Sequence, residues 1–202
     1  MNTSDKEFTA QESLQLIRSM IETTRHSISD KSHFFLMWGY TTLIGSLLQY
    51  FLLAIMHSPY HYLAWLVTPV GILLHVIFIF KEEKREKVKT FISEANRYVW
   101  FIIMLAYVVL FFVFAKIGWQ YCFPFYILLY GIGTYITGSL LKFKPMVIGG
   151  IICLFLAALA PYLEYTLQIL LCAFAILASY IVPGHLLRNQ YIQASKNKYG
   201  QQ

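Results

Sequence analysis

The sequence predicts an all-α fold, a polytopic membrane helical bundle of six transmembrane helices with an amphipathic helix before it on the cytoplasmic side. Two features of the composition lead to this fold class: 58% of the 202 residues are hydrophobic, and only 13% carry a charge. A soluble domain of this length could not bury so much apolar surface. The third feature is the pattern, because the apolar residues fall in six long runs with short polar breaks between them.

Each of the six runs is long enough to cross a hydrocarbon core of about 30 Å at about 1.5 Å per helical residue. The predicted spans are residues 34–56, 60–80, 98–115, 120–141, 145–161 and 165–183. Most of the breaks are so short that neighbouring spans must run antiparallel. The chain therefore divides into an N-terminal segment at 1–33, a transmembrane domain at 34–183 and a tail at 184–202.

The basic residues predict the orientation of these spans. If the N-terminus is cytoplasmic, fifteen of the sixteen Lys and Arg residues lie on the inner side and Lys116 alone lies outside. Because basic residues accumulate on the cytoplasmic side, we expect a multi-pass plasma-membrane protein with both termini cytoplasmic. The same distribution argues against direct nucleic acid binding, since the basic residues lie between apolar runs rather than on one face of a soluble module. The first 33 residues contain no continuous apolar run, so no cleavable signal peptide is expected.

The N-terminal segment is predicted to form an amphipathic helix. Residues 9–12, Thr-Ala-Gln-Glu, fit a capping box that begins a helix. Leu14, Ile17, Ile21 and Ile28 then follow at near-helical spacing and form one apolar stripe. Three interpretations stay open: the stripe lies on the membrane surface, packs under the bundle or docks a cytosolic partner.

The charged segment at residues 81–97 is predicted to continue as a helix from the second span, with Glu83 and Lys87 at a favourable spacing. We interpret it as a solvated helical hairpin whose charge sets the topology. An alternative is a patch for phospholipid or for a partner.

A second hairpin is predicted around residues 133–150. Gly133 and Gly138 provide small surface where helices approach closely. Lys142 and Lys144 are expected to extend to the cytoplasmic interface, and Pro145 begins the fifth helix, where its missing N–H group has no cost. Packing and insertion therefore explain this hairpin without a pore.

Ionisable residues inside the membrane are scarce in this sequence. No Asp, Glu, Lys or Arg lies near the middle of a span, which argues against most proton-coupled pumps. His75 is the exception, and we expect it to form a hydrogen bond to a neighbouring helix. The alternatives are a haem site shared with His185, and an outer metal site that combines His57 and His61 with Glu164. Neither has a supporting spacing signature, so no metal and no cofactor are predicted.

The sequence contains no motif of a known catalytic class, whether a nucleophile elbow, a phosphate-binding glycine loop or a metalloprotease helix. Its three cysteines lack the short spacings of zinc ligands. We therefore predict that the chain is not an enzyme and has no catalytic residues.

Two functions are consistent with these features. The first is a non-enzymatic accessory or sensing component that acts through a cytosolic or membrane protein partner, or as a homo-oligomer, in addition to its contact with the lipid bilayer. Its cytoplasmic face comprises residues 9–33, 81–97 and 184–202. The alternative is a small transporter or channel with a polar path through the bundle. The candidate path residues are Thr41, Thr42, Ser46, Gln49, His75, Tyr130, Thr134 and Thr137.

Several runs resemble a family of bacterial six-span inner-membrane proteins of about this length. They are "ESLQLIRSMIETTR", "FFLMWGYTTLIGSLLQY", "LLYGIGTYITGSLLKFKPMVIGGIIC" and "YIVPGHLL". Members of this family are often encoded beside small winged-helix regulators and have no assigned activity. The resemblance implies a bacterial plasma-membrane location, and it implies no catalytic or binding residue.

Overall fold

The structure, a computed structural model, describes residues 11–12, 14–19, 32–82 and 91–199. All regular secondary structure in these ranges is helical, which confirms the predicted all-α class. The α-helices from residue 32 onwards are α1 (Ser32–Tyr50), α2 (Val67–Glu82), α3 (Phe91–Ile117), α4 (Cys122–Leu140), α5 (Lys144–Leu159), α6 (Tyr165–Ile176) and α7 (Val182–Tyr199).

Six helical stretches in the described part of the chain are long and apolar enough to cross a membrane, so the predicted number is confirmed. They are Phe35–Ile55, His61–Phe78, Glu94–Ile117, Trp119–Leu140, Lys144–Tyr162 and Tyr165–Asn189. Each overlaps one predicted span. The last combines α6, a short π-helical segment and the first half of α7.

The short turns gather at two ends of the bundle. At the first end, which we call the Lys142 end, a small apolar cluster closes the bundle beside the start of α1. Its buried members are Leu141, Phe143, Met146 and Leu187. The opposite end, which we call the Pro161 end, contains the turn from α1 to α2 and the turn from α5 to α6.

Helices α4 and α5 form the most extensive helix pair in the bundle, and glycine permits their approach. A Cβ atom on Gly150 would lie 2.7 Å from the backbone nitrogen of Tyr135. A Cβ atom on Gly138 would lie 2.7 Å from the backbone nitrogen of Val147. Both distances are too short for non-bonded atoms, so the predicted close contact through small residues is confirmed.

Helix α1 contacts α2, α6 and α7. Helices α2 and α3 lie at the periphery, since only 11% of either apolar stretch is buried, against 56% for the last one. Their exposed side chains are almost all apolar. That surface suits contact with lipid chains rather than with water.

The first two apolar stretches are not uniform α-helices. Helix α1 continues into a π-helical segment, Phe51–Ile55, and a 3-10 segment, His61–Leu66, precedes α2. Between them His57 has a φ of 48°, a left-handed conformation that allows the chain to reverse direction. The hydropathy pattern contains no sign of these changes in helix type.

Some sequence predictions lie wholly or partly outside the described residues. Helical structure is present at residues 11–12 and 14–19, whereas Thr9 at the predicted helix start is not among the described residues. The predicted pair of Glu83 and Lys87 is also outside them.

Candidate functional site: a neutral polar row through the bundle

Helix α1 has a stripe of small and polar residues that faces the bundle interior. Thr42, Ser46 and Gln49 are spaced by four and three residues, so they share one helical face, and all three are buried. Tyr130, Thr134 and Thr137 occupy the antiparallel helix α4. We call these six residues the polar row. It contains six of the eight candidates from the sequence.

At the Pro161 end, Gln49 is the centre of a hydrogen-bond network. Its Oε1 atom accepts a bond of 2.7 Å from the indole N–H of Trp65. Its Nε2 atom lies 3.2 Å from Nδ1 of His61 and donates to the hydroxyl of Tyr165 at 3.0 Å. One amide therefore joins α1 to the 3-10 segment before α2 and to the start of α6.

In the middle of the bundle, the Thr42 hydroxyl lies 3.2 Å from the hydroxyl of Tyr130. The Tyr130 ring packs against those of Tyr107 and Tyr180, with centroid distances of 5.7 and 5.3 Å. Edge and tilted ring contacts of this kind stabilise aromatic clusters. The three tyrosine rings therefore pack together beside Thr42.

Two hydroxyl groups of the polar row have no hydrogen-bond partner, those of Ser46 and Thr134. Ser46 is fully buried and Thr134 is 1% exposed. The Ser46 hydroxyl faces the thiol of Cys172, and the Thr134 hydroxyl faces Tyr180, but neither pair has hydrogen-bond geometry. Such buried, unpaired groups are uncommon in proteins.

Toward the Lys142 end, Thr137 joins α3 to α4. Its hydroxyl donates to Oδ1 of Asn96 at 2.8 Å and accepts a bond of 3.1 Å from the indole N–H of Trp100. The hydroxyl therefore both donates and accepts a hydrogen bond between helices.

The two remaining candidates lie on other faces. His75, on α2, accepts a bond of 3.3 Å at Nδ1 from the indole N–H of Trp38 on α1, which confirms the prediction that it bonds to a neighbouring helix. Thr41 packs against Gly71 of α2, where an added Cβ would lie 3.0 Å from the threonine side chain. Neither residue continues the polar row.

Three histidines that the sequence suggests as metal or haem ligands have other contacts. Nε2 of His185 lies 2.9 Å from the hydroxyl of Tyr40, whereas His75 contacts Trp38. His61 belongs to the network around Gln49. Within the described ranges, no group of three or more His, Cys, Asp or Glu side chains could hold a metal ion.

The polar row is electrically neutral, because the buried polar residues in the described part of the chain are all Thr, Ser or Gln. Such a row can hold helices in register and can offer hydroxyl groups to a small neutral molecule. It contains no ionised group that would attract an ion.

The sequence interpretation missed the aromatic partners of these residues. Three of the four tryptophans donate their indole N–H to a candidate residue on another helix: Trp38 to His75, Trp65 to Gln49 and Trp100 to Thr137. An indole can only donate, so a tryptophan in an apolar run needs an acceptor. That requirement is a signal in the sequence, although it does not identify the acceptor.

Comparison with protein-family models, with curated proteins and with solved structures gives no match for this chain. The function is therefore proposed from the sequence and the geometry of the chain itself.

Proposed function

We propose that this chain is a multi-pass protein of the bacterial plasma membrane with both termini in the cytoplasm. The six apolar helices support a membrane location, and the fifteen-to-one distribution of basic residues supports the orientation. The resemblance to bacterial six-span inner-membrane proteins supports the source. The variants Gln120→Cys and Ser195→Cys test the orientation against the unchanged chain, whose own three cysteines are buried, since an impermeant maleimide added to intact cells should give extra labelling only in the first. Labelling of the Ser195→Cys variant alone would indicate the opposite orientation in the membrane.

Within that membrane, we propose a non-enzymatic accessory or sensing component that acts through a protein partner at its cytoplasmic face. The observation that carries this proposal is the exposure of apolar side chains on the N-terminal helical segment: 58% for Leu14, 47% for Leu16 and 50% for Ile17. These residues precede the six apolar helices, so they lie outside the membrane-crossing part of the chain. Exposed apolar side chains on one short helical segment are typical of a docking surface.

Association with a partner is tested by capture of the full chain from native membranes and identification of the bound proteins by mass spectrometry. We expect one specific partner to be lost from the double variant Leu14→Gln, Ile17→Gln and from a deletion of residues 1–30. The double variant Gln15→Ala, Arg18→Ala is the matched control, because it changes other exposed positions of the same segment. Equal capture by all variants would refute docking through Leu14 and Ile17.

The alternative function is a small transporter or channel, and the unpaired hydroxyls of Ser46 and Thr134 favour it. A solute or water molecule that reached either hydroxyl would provide the hydrogen-bond partner that it lacks. Solute flux into liposomes that contain the purified chain tests this alternative. Flux that falls in the variant Ser46→Ala, Thr134→Val, together with no specific partner, would make transport the better interpretation.

A further inference from the structure

An open groove of about 300 Å³ lies at the Lys142 end, beside the turn from α4 to α5. Its lining residues are Gly138, Ser139, Lys142, Lys144, Val147 and Ile148. The floor of the groove is apolar, and the two lysines are its charged residues.

The turn holds both lysines on its outer side. Phe143, between them, is 2% exposed, and its backbone N–H donates to the carbonyl of Gly138 at 2.8 Å. The carbonyl of Phe143 accepts from Met146 at 3.1 Å. Phe143 belongs to the buried cluster at this end of the bundle, whereas Lys142, with a left-handed φ of 50°, and Lys144, the first residue of α5, lie on either side of it. Both lysines are exposed. Because Phe143 is buried and hydrogen-bonded, it fixes the backbone from which the two lysine side chains extend.

The charges of these lysines are not neutralised by the described protein. Of the ion pairs in the described ranges, none includes Lys142 or Lys144. Two unpaired cations beside an apolar groove complement a molecule that has an anionic group and an apolar chain. A free phosphate ion would use only the two cations.

We propose that the groove binds one anionic phospholipid, with its phosphate between Lys142 and Lys144 and one acyl chain along Val147 and Ile148. The proposal rests on the membrane location proposed above. Anionic headgroups are attracted to basic residues at the ends of membrane helices. An acyl chain in the groove would cover its apolar floor, next to the two lysines.

The test is photo-crosslinking of the full chain, reconstituted in phosphatidylcholine vesicles, to trace amounts of phosphatidylglycerol or phosphatidylcholine that carry a diazirine in one acyl chain. Peptide mass spectrometry then locates the labelled residues. We expect phosphatidylglycerol to label residues 138–148 about 25-fold more than phosphatidylcholine, which is roughly fivefold for each lysine. The double variant Lys142→Gln, Lys144→Gln should abolish this preference, and the double variant Lys142→Arg, Lys144→Arg should retain it.

Lys116→Gln is the matched control, because Lys116 is an exposed lysine in the last turn of α3, away from the groove. This variant should prefer phosphatidylglycerol as strongly as the unchanged chain does. Equal labelling by the two lipids, or an equal loss in Lys116→Gln, would overturn the proposal. Displacement of the labelled lipid by inorganic phosphate would overturn it in favour of a free-anion site. A chain that fails to enter vesicles would instead contradict the membrane location.

Discussion

The indole N–H of Trp65 donates a hydrogen bond of 2.7 Å to Oε1 of Gln49, and this contact fixes which way the Gln49 amide faces. Because an indole only donates, the amide oxygen must face Trp65, and the amide NH₂ must face His61 and Tyr165. The end of α1, the 3-10 segment that follows it in the sequence and the distant start of α6 thus meet at one side chain.

Replacing Gln49 by Leu is expected to lower the free energy of unfolding by about 1–3 kcal/mol, because buried donors and acceptors lose their partner. Gln49 is 2% exposed, so water cannot easily replace the amide. Steric trapping in bicelles measures the change. Gln120→Leu is the control, since Gln120 is exposed, and we expect a change within about 0.5 kcal/mol. Equal losses in the two variants would contradict the proposed role of the network.

The orientation of the Gln49 amide also predicts the tautomer of His61. An amide NH₂ group only donates, so Nδ1 of His61 must accept, and the proton of the neutral ring must reside on Nε2. Nitrogen-15 NMR of histidine-labelled protein should show this single tautomer for His61. The exposed His57 provides the comparison. Detection of the Nδ1–H tautomer at His61 would show that the amide faces the other way.

Two threonines one turn apart on α4 are expected to respond differently to the same substitution. Thr137→Val should lower the free energy of unfolding by about 1–3 kcal/mol, because Trp100 and Asn96 lose their partner. Thr134→Val should be neutral or slightly stabilising, because the hydroxyl that it removes is buried and unpaired. The same unfolding assay compares them. A loss in Thr134→Val as large as that in Thr137→Val would mean that the Thr134 hydroxyl is bonded in the membrane.

The contact between α4 and α5 predicts a graded response to added methyl groups. Gly150→Ala should lower the free energy of unfolding by about 1–3 kcal/mol, because the new Cβ would lie 2.7 Å from the backbone of Tyr135. Gly45→Ala is the milder partner variant, since its Cβ would meet the Trp65 ring at 3.3 Å. If Gly150→Ala lowered the free energy of unfolding less than Gly45→Ala, helices α4 and α5 would be able to move apart easily.

Part of the candidate site could be predicted from the residues alone. Polar residues in apolar runs are conspicuous, so the sequence identifies Thr42, Gln49 and Thr137 among eight candidates for a polar path. The eight candidates do not form one path, however. Thr42 bonds to Tyr130 on α4, but Thr137 bonds to Trp100 and Asn96 on α3. His75 bonds to Trp38, and Thr41 packs against Gly71. Hydropathy does not reveal which face of a helix meets which neighbour.

The sequence by itself determined the number of apolar helices, their approximate limits and the glycine-rich contact at the hairpin of α4 and α5. These are local properties, because each span needs only enough consecutive apolar residues to match a bilayer. Only the tertiary structure decided that Gln49 meets Tyr165, 116 residues away, and that Ser46 and Thr134 lack partners. Whether a side chain finds a partner depends on how each packed helix is rotated and how deep it lies. Long-range contacts determine both, and the hydropathy of a single helix does not.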